Sequence, residues 1–224
     1  DIAAGLRYLK EAGFERIVLL GNSGGGSLLG FYQSQASRAP AKRLAMTPGG
    51  EPIDLTQEVM PEGDLYIAVA AHLGAGRFMP PATDPSGLDE NAPTAGDHEW
   101  DMYNPANGYR PFPEPSHYDR QWLAEYRKRQ VARSHRLDKI AREHIAEHAY
   151  FRNQLRDPGY AALPEAARGM VARRARLWKY MVIYRTLANP AYLDPTIDPS
   201  NRPVGSIFSP ADPIIGNYGP GGLA

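Results

Sequence analysis

The sequence contains no cysteine, which excludes a disulfide framework, a thiol nucleophile and any thiolate metal site. No apolar run approaches the roughly 18 residues that a membrane span needs. The longest are short stretches such as Ile17 to Leu20, and nothing at the start reads as a signal peptide. A cytoplasmic chain with no membrane partner is therefore expected. Net charge is also missing, since 25 Lys plus Arg balance 25 Asp plus Glu. The bulk footprint that attracts nucleic acid is absent, as are the aromatic-basic motifs of RNA-binding modules, so nucleic acid is not an expected partner. Position 1 is Asp rather than Met, and Asp1 to Gly13 already reads as the middle of a structural unit. The chain is expected to be a fragment.

Glycine and proline are abundant, with 22 and 21 of 224 residues, against about 12% together in ordinary globular chains. That excess excludes a plain helical bundle. A hydrophobic content of 42% suffices for a real core, and the length suits one large domain or a core with an insertion. Charge is unevenly placed: Tyr118 to Leu187 holds 16 basic and 7 acidic residues, and the rest of the chain holds 9 and 18. Solvated outer faces of Arg-rich helices account for this, as would a basic surface that steers an anionic substrate.

The first seventy residues alternate helix, strand, helix, strand. Ile2, Ala3, Leu6, Tyr8, Leu9 and Ala12 fall at helical spacing, and Gly13 supplies a left-handed stop. Ile17-Val18-Leu19-Leu20 is a continuous apolar, β-rich run, predicting an interior parallel strand covered on both faces. Gly21-Asn22-Ser23-Gly24-Gly25-Gly26-Ser27 follows, and Leu28, Leu29, Phe31 and Tyr32 open a second helix. Gln35 to Gly63 is polar and punctuated by Pro48-Gly49-Gly50 and Pro61-Glu62-Gly63. Leu65 to Ala71 then predicts a second buried strand, parallel to the first. Two strands cannot make a stable parallel sheet alone, so others are expected outside this chain.

Beyond Phe78 the character changes. Phe78 to Pro115 is loop-like and rich in Pro, Tyr118 to Arg152 has helical composition, and a further helix is expected from Pro164 to about Leu187. The tail from Ala191 returns to turns such as Asp194-Pro195, Asp198-Pro199, Asp212-Pro213 and Gly219-Pro220-Gly221-Gly222.

Gly21-Asn22-Ser23-Gly24-Gly25 fits G-x-S-x-G directly after an apolar strand and before a helix, the context that raises this short pattern above chance. The turn strains the serine backbone so that its hydroxyl stands exposed, and flanking positions must lack side chains for strand and helix to approach. Gly21 and Gly25 meet that need. Gly24 would offer its backbone N–H to a developing oxyanion at the positive end of the helix. A phosphate loop fails because Ser27 stands where Lys is required after Gly26, and a dinucleotide fingerprint starting at Gly24 and Gly26 fails at Leu29. A tight turn without chemistry and a degenerate anion loop are the remaining alternatives.

In these residues, from Arg16 to Ser27 and on to Leu65–Ala71, the sequence resembles the α/β hydrolase superfamily. The resemblance implies an α/β fold in which residues 1–77 are a core fragment bearing the nucleophile elbow. Residues 78–203 would be an inserted cap, loop-rich and then helical, and 204–224 a return toward the core. It implies Ser23 as nucleophile, Gly24 as oxyanion donor, Gly21, Asn22 and Gly25 as the elbow, a small-molecule acyl or carbon–carbon substrate, and no cofactor. The second oxyanion donor, the acid and the base histidine would lie outside this chain, leaving residues 1–224 without ester hydrolysis. A noncatalytic ligand- or partner-binding protein of the same fold is the alternative.

His72 closes the second strand, where α/β proteins place their sites, and is expected to line a pocket or to be structural; a replacement base is a lesser reading. His144-Ile145-Ala146-Glu147-His148 matches H-x-x-E-H, which makes a zinc hydrolase the third reading, although a third ligand is hard to find. A solvated helix face explains the same residues. Asp84, Asp89, Glu90, Asp97, Glu99 and Asp101 read as a solvated acidic loop, and Trp122, Tyr126, Trp178, Tyr180 and Tyr184 as core aromatics or the inner wall of a cap.

Overall fold

The computed structural model describes residues 1–47, 52–92, 94–198 and 200–207, together with the short strand pieces 215–216 and 219–220. The turns read at Pro48-Gly49-Gly50, Asp212-Pro213 and Gly221-Gly222, and most of the expected return over 204–224, lie outside these residues. The chain is mixed helix and strand and divides into two compact units, Asp1–Phe78 and Met79–Ala224. No described helix is long and apolar enough to cross a membrane.

The first unit runs α1 (Ile2–Glu11), β1 (Val18–Asn22), α2 (Gly24–Ala36), β2 (Leu65–Val69) and a single turn, α3 (Ala75–Phe78). Gly13 stops α1 at φ +90°, a conformation that costs glycine little. Strands β1 and β2 pair in parallel with Val18 opposite Leu65 and Asn22 opposite Val69. Ile17 and Asp64 lock that register: the Ile17 N–H donates to the Asp64 carboxylate at 2.8 Å, and the Asp64 N–H donates to the Ile17 carbonyl at 2.9 Å.

Burial alternates along β1, which corrects the expectation of a strand covered on both faces. Leu19 points into a core with Leu6, Ile17, Tyr32 and Ala36, whereas Val18 and Leu20 are 50% and 59% exposed. All five residues of β2 are exposed, which corrects the expectation of a second buried strand over Leu65 to Ala71; the strand itself ends at Val69. Side chains alternate along a strand, and partners in parallel register share a face. The helices therefore cover one face of β1, and the opposite face of the pair presents an apolar stripe. Tyr66, on the covered side, donates its hydroxyl to the Gly26 carbonyl at 2.6 Å and ties β2 to α2.

The second unit is built around α4 (Arg120–Arg156) and α5 (Glu165–Arg176). Asp119 caps α4, its carboxylate accepting from the Gln121 and Trp122 N–H groups. One end of α4 packs into an aromatic core of Trp100, Met102, Tyr118, Tyr126, Ala188 and Leu193. Trp122 stacks against Trp100, Tyr118 and Tyr126, with centroid separations of 6.1, 5.4 and 4.8 Å. The other end packs Phe151 on Val171 and Ala175 of α5. A short antiparallel pair, β3 (Ile215–Gly216) with β4 (Gly219–Pro220), was not expected.

The expected helix from Pro164 to Leu187 stops at Arg176. Residues beyond it are extended because tertiary bonds claim their backbone: the Asp84 N–H donates to the Arg185 carbonyl, and the Ala188 N–H to the Ala82 carbonyl, both at 2.8 Å. The loop read over Phe78 to Pro115 is held by repeated turns in which an Asp or Asn before Pro accepts the N–H two residues on. Examples are Asp84 from Ser86 and Asn104 from Ala106.

Asp89 and Glu99 are exposed, as a solvated loop requires, but the solvated reading is corrected at Asp84, Glu90 and Asp101. Arg133 of α4 is buried and pairs with Glu90 at 2.8 Å, and Arg136 reaches the same carboxylate at 2.7 Å. Asp84, fully buried, pairs with Arg185, which also reaches Asp101 at 2.9 Å. Gln130, likewise buried, donates to the carbonyls of Pro81, Thr83 and Ala188. Loop carboxylates and loop carbonyls thus turn inward because α4 supplies cations and donors to satisfy them.

Candidate functional site

The carboxyl ends of β1 and β2 lie side by side and hold two strained residues. Ser23 sits at φ 53°, ψ −120° between β1 and α2, and Ala70, one residue past β2, sits at φ 45°. Such backbone is costly for any side-chain-bearing residue and persists only where surrounding structure imposes it. Here the Ser23 N–H donates to the Val69 carbonyl at 3.0 Å, and the Gly26 N–H to the Ser23 carbonyl at 3.1 Å. The Ser23 residue is exposed.

The neighbouring glycines are not equivalent. A Cβ on Gly21 would lie 2.5 Å from the Gly25 carbonyl oxygen and 2.6 Å from the Gly26 Cα, so position 21 must be glycine for strand and helix to fold back on each other. A Cβ on Gly25 would meet nothing within 4 Å, whereas one on Gly26 would fall 2.2 Å from the Ala71 Cβ. The close approach expected of Gly25 thus belongs to Gly26. The sequence hid this because Ala71 comes from the end of the second strand; three successive glycines were the available signal.

Gly24 opens α2, so its N–H is among those a helix leaves without an intrahelical acceptor, at the positive end of the helix. The His72 ring stands over it, with Nε2 3.3 Å from the place a Gly24 Cβ would take. The Gly74 N–H donates to His72 Nδ1 at 3.0 Å. A neutral imidazole that accepts at Nδ1 carries its proton on Nε2. In this tautomer His72 can donate to an oxygen near Gly24 but cannot take a serine proton through Nε2, which argues against the replacement base. Asn22 is exposed on the strand face that α2 does not cover. A cavity of about 540 Å³ in the same unit is lined by Ile2, Leu28, Phe31, Tyr32 and Met60 among others, and neither Ser23 nor His72 lines it.

The zinc pattern falls elsewhere, on the C-terminal half of α4. Both Glu147 oxygens are engaged, one by Arg174 and the other by Lys179. Those cations hold the Glu147 carboxyl below its ordinary range, the hydrogen bond from Lys179 contributing most. No group of three His, Cys, Asp or Glu able to hold a metal occurs among the described residues. His148 is buried and stacks on Trp178 at 3.7 Å between centroids. Among the described residues the pattern therefore lacks a third ligand, and its carboxylate is already held by two cations.

No protein-family model matches the chain, and neither does any curated protein or any solved structure. The site stands on its own geometry.

Proposed function

We propose that Ser23 is the nucleophile of a serine hydrolase of the α/β-hydrolase type, attacking an acyl carbonyl to form an acyl-enzyme that water then cleaves. The observation that carries this reading is the strained backbone of Ser23 at the junction of a parallel strand and a helix. Strain at a residue with a nucleophilic side chain, held by glycine contacts on both sides, is what an exposed hydroxyl above a helix N-terminus requires. As the hydroxyl oxygen bonds to the carbonyl carbon, its proton passes to a base and negative charge gathers on the carbonyl oxygen; collapse then breaks the bond to the leaving group, which departs with that proton and leaves the acyl-enzyme. The Gly24 N–H would stabilise that charge. The serine still needs a base. The cap, its boundaries and the identities of acid and base belong to the same proposal.

A fluorophosphonate should label Ser23 of the natural full-length protein stoichiometrically, with the adduct located by peptide mass spectrometry and absent in Ser23→Ala. Labelling that persists in that variant would sink the reading. The tautomer of His72 favours a second reading, a ligand-binding protein that retains the turn without turnover. Reversible binding of the phosphonate with no adduct would support it.

A further inference from the structure

The C-terminal part of α4, α5 and residues 177–179 enclose a cleft of about 380 Å³, within the range of small-molecule sites. Its polar lining is one-sidedly basic. Arg173, Arg174 and Lys179 face a single carboxylate, Glu147. That carboxylate is already shared by Arg174 and Lys179, and Arg173 has no ion pair among the described residues. Two positive charges therefore remain uncompensated. Gathering like charge in a cleft is unfavourable unless an anion answers it, and such a cleft concentrates anions. His148 makes a second, independent observation. Its ring is mostly buried, lines the cleft and forms no hydrogen bond with a described residue, and since its nitrogens are not among the fully buried unpartnered side-chain atoms, they face the open space of the cleft. Trp178, stacked on that ring, supplies a partly exposed apolar wall with Leu177 and Met170.

We infer that this cleft binds a phosphomonoester carrying a planar apolar group. The phosphate would sit between Arg173 and the Arg174–Lys179 pair and accept a hydrogen bond from His148, while the ring would lie against Trp178. Arg suits this role because its planar fork matches phosphate oxygens. The H-x-x-E-H pattern then has an anion-binding explanation: Glu147 orients two cations, and His148 serves as a donor. The inference is independent of Ser23.

The full chain should be titrated with phenyl phosphate and with inorganic phosphate, following binding by calorimetry and by the fluorescence of Trp178, assigned through Trp178→Phe. Saturable one-to-one binding is expected, tighter for phenyl phosphate. Arg173→Ala, at an exposed position, should weaken both ligands at least about tenfold with an unchanged circular dichroism spectrum. Trp178→Leu should remove the preference for the phenyl compound. Failure of either compound to saturate at millimolar concentration would overturn the inference, as would affinity untouched by Arg173→Ala. So would stoichiometric zinc uptake lost in His144→Ala, which would restore the metal reading.

Discussion

At Ser23 a single backbone conformation separates two kinds of selection. A glycine there would relax the positive φ, so Ser23→Gly should stabilise the fold by about 1 kcal/mol, toward the low end of the cost of such strain, while abolishing phosphonate labelling. Urea unfolding beside the labelling assay reads both effects, and a destabilised Ser23→Gly would contradict the strain. The glycines give a sharper contrast. Gly26→Ala places a methyl group against Ala71 and should cost about 1–3 kcal/mol, whereas Gly25→Ala, in open space at the start of α2, should be neutral or slightly stabilising. The strained strand-to-helix turn was legible in sequence because its geometry is local: strand, glycine, serine, glycine, helix. The role of Gly26 was not, because the atom it makes room for arrives from a distant strand. The tautomer of His72 was equally hidden, being set by a turn that only the folded backbone forms.

Among elements, α4 shows where pattern reading stops. Most of its length follows from the run free of Gly and Pro, although it ends at Arg156 rather than Arg152, but its Arg-rich composition suggested a solvated face. Arg133 instead lies buried against Glu90, Asp84 and Tyr184. Composition cannot say which charges find partners inside; that depends on which loop carbonyls need donors. Arg133→Met should therefore cost about 1–3 kcal/mol, because it leaves the nearly buried Glu90 carboxylate with Arg136 alone and takes a donor from the Asp84 and Tyr184 carbonyls, and unfolding in urea at neutral pH would check this. Burial alone would raise the Glu90 carboxyl, but hydrogen bonds and charge from Arg133 and Arg136 outweigh it and hold it below the ordinary value. As pH falls, the unfolded chain takes up this proton first. The stabilisation is thus complete above about pH 4.3, the unfolded value, and is lost as pH falls through the lower folded value. Glu90→Gln should flatten that part of the stability profile; a profile unchanged by the substitution would place the acid sensitivity elsewhere. The prolines tell the opposite story. The turns at Asp84-Pro85, Asn104-Pro105 and Asp194-Pro195 were legible because side chain and ring act within three residues.

For the molecule as a whole, the alternation of helix and strand in the first seventy residues was readable, but the coverage of the sheet was not. A continuous apolar run is compatible with two covered faces or with one, and neighbouring elements decide. The stripe of Val18, Leu20, Leu65, Ile67 and Val69 should bind an environment-sensitive apolar dye to the folded chain. Leu20→Lys should reduce that signal with little loss of stability, whereas Leu19→Ala, in the core, should cost about 2–5 kcal/mol. Equal stability losses at the two positions would refute the one-sided sheet. In the second unit, α4 carries buried residues up to Leu137 and again from His148, with none between. The intervening turns span roughly 16 Å at 1.5 Å per residue. An ordinary helix frays from its ends inward, but this one is clamped at both ends by separate cores. Its amide protons should therefore exchange with deuterium fastest at the centre, an inverted profile in which the middle of the rod is the first part to open.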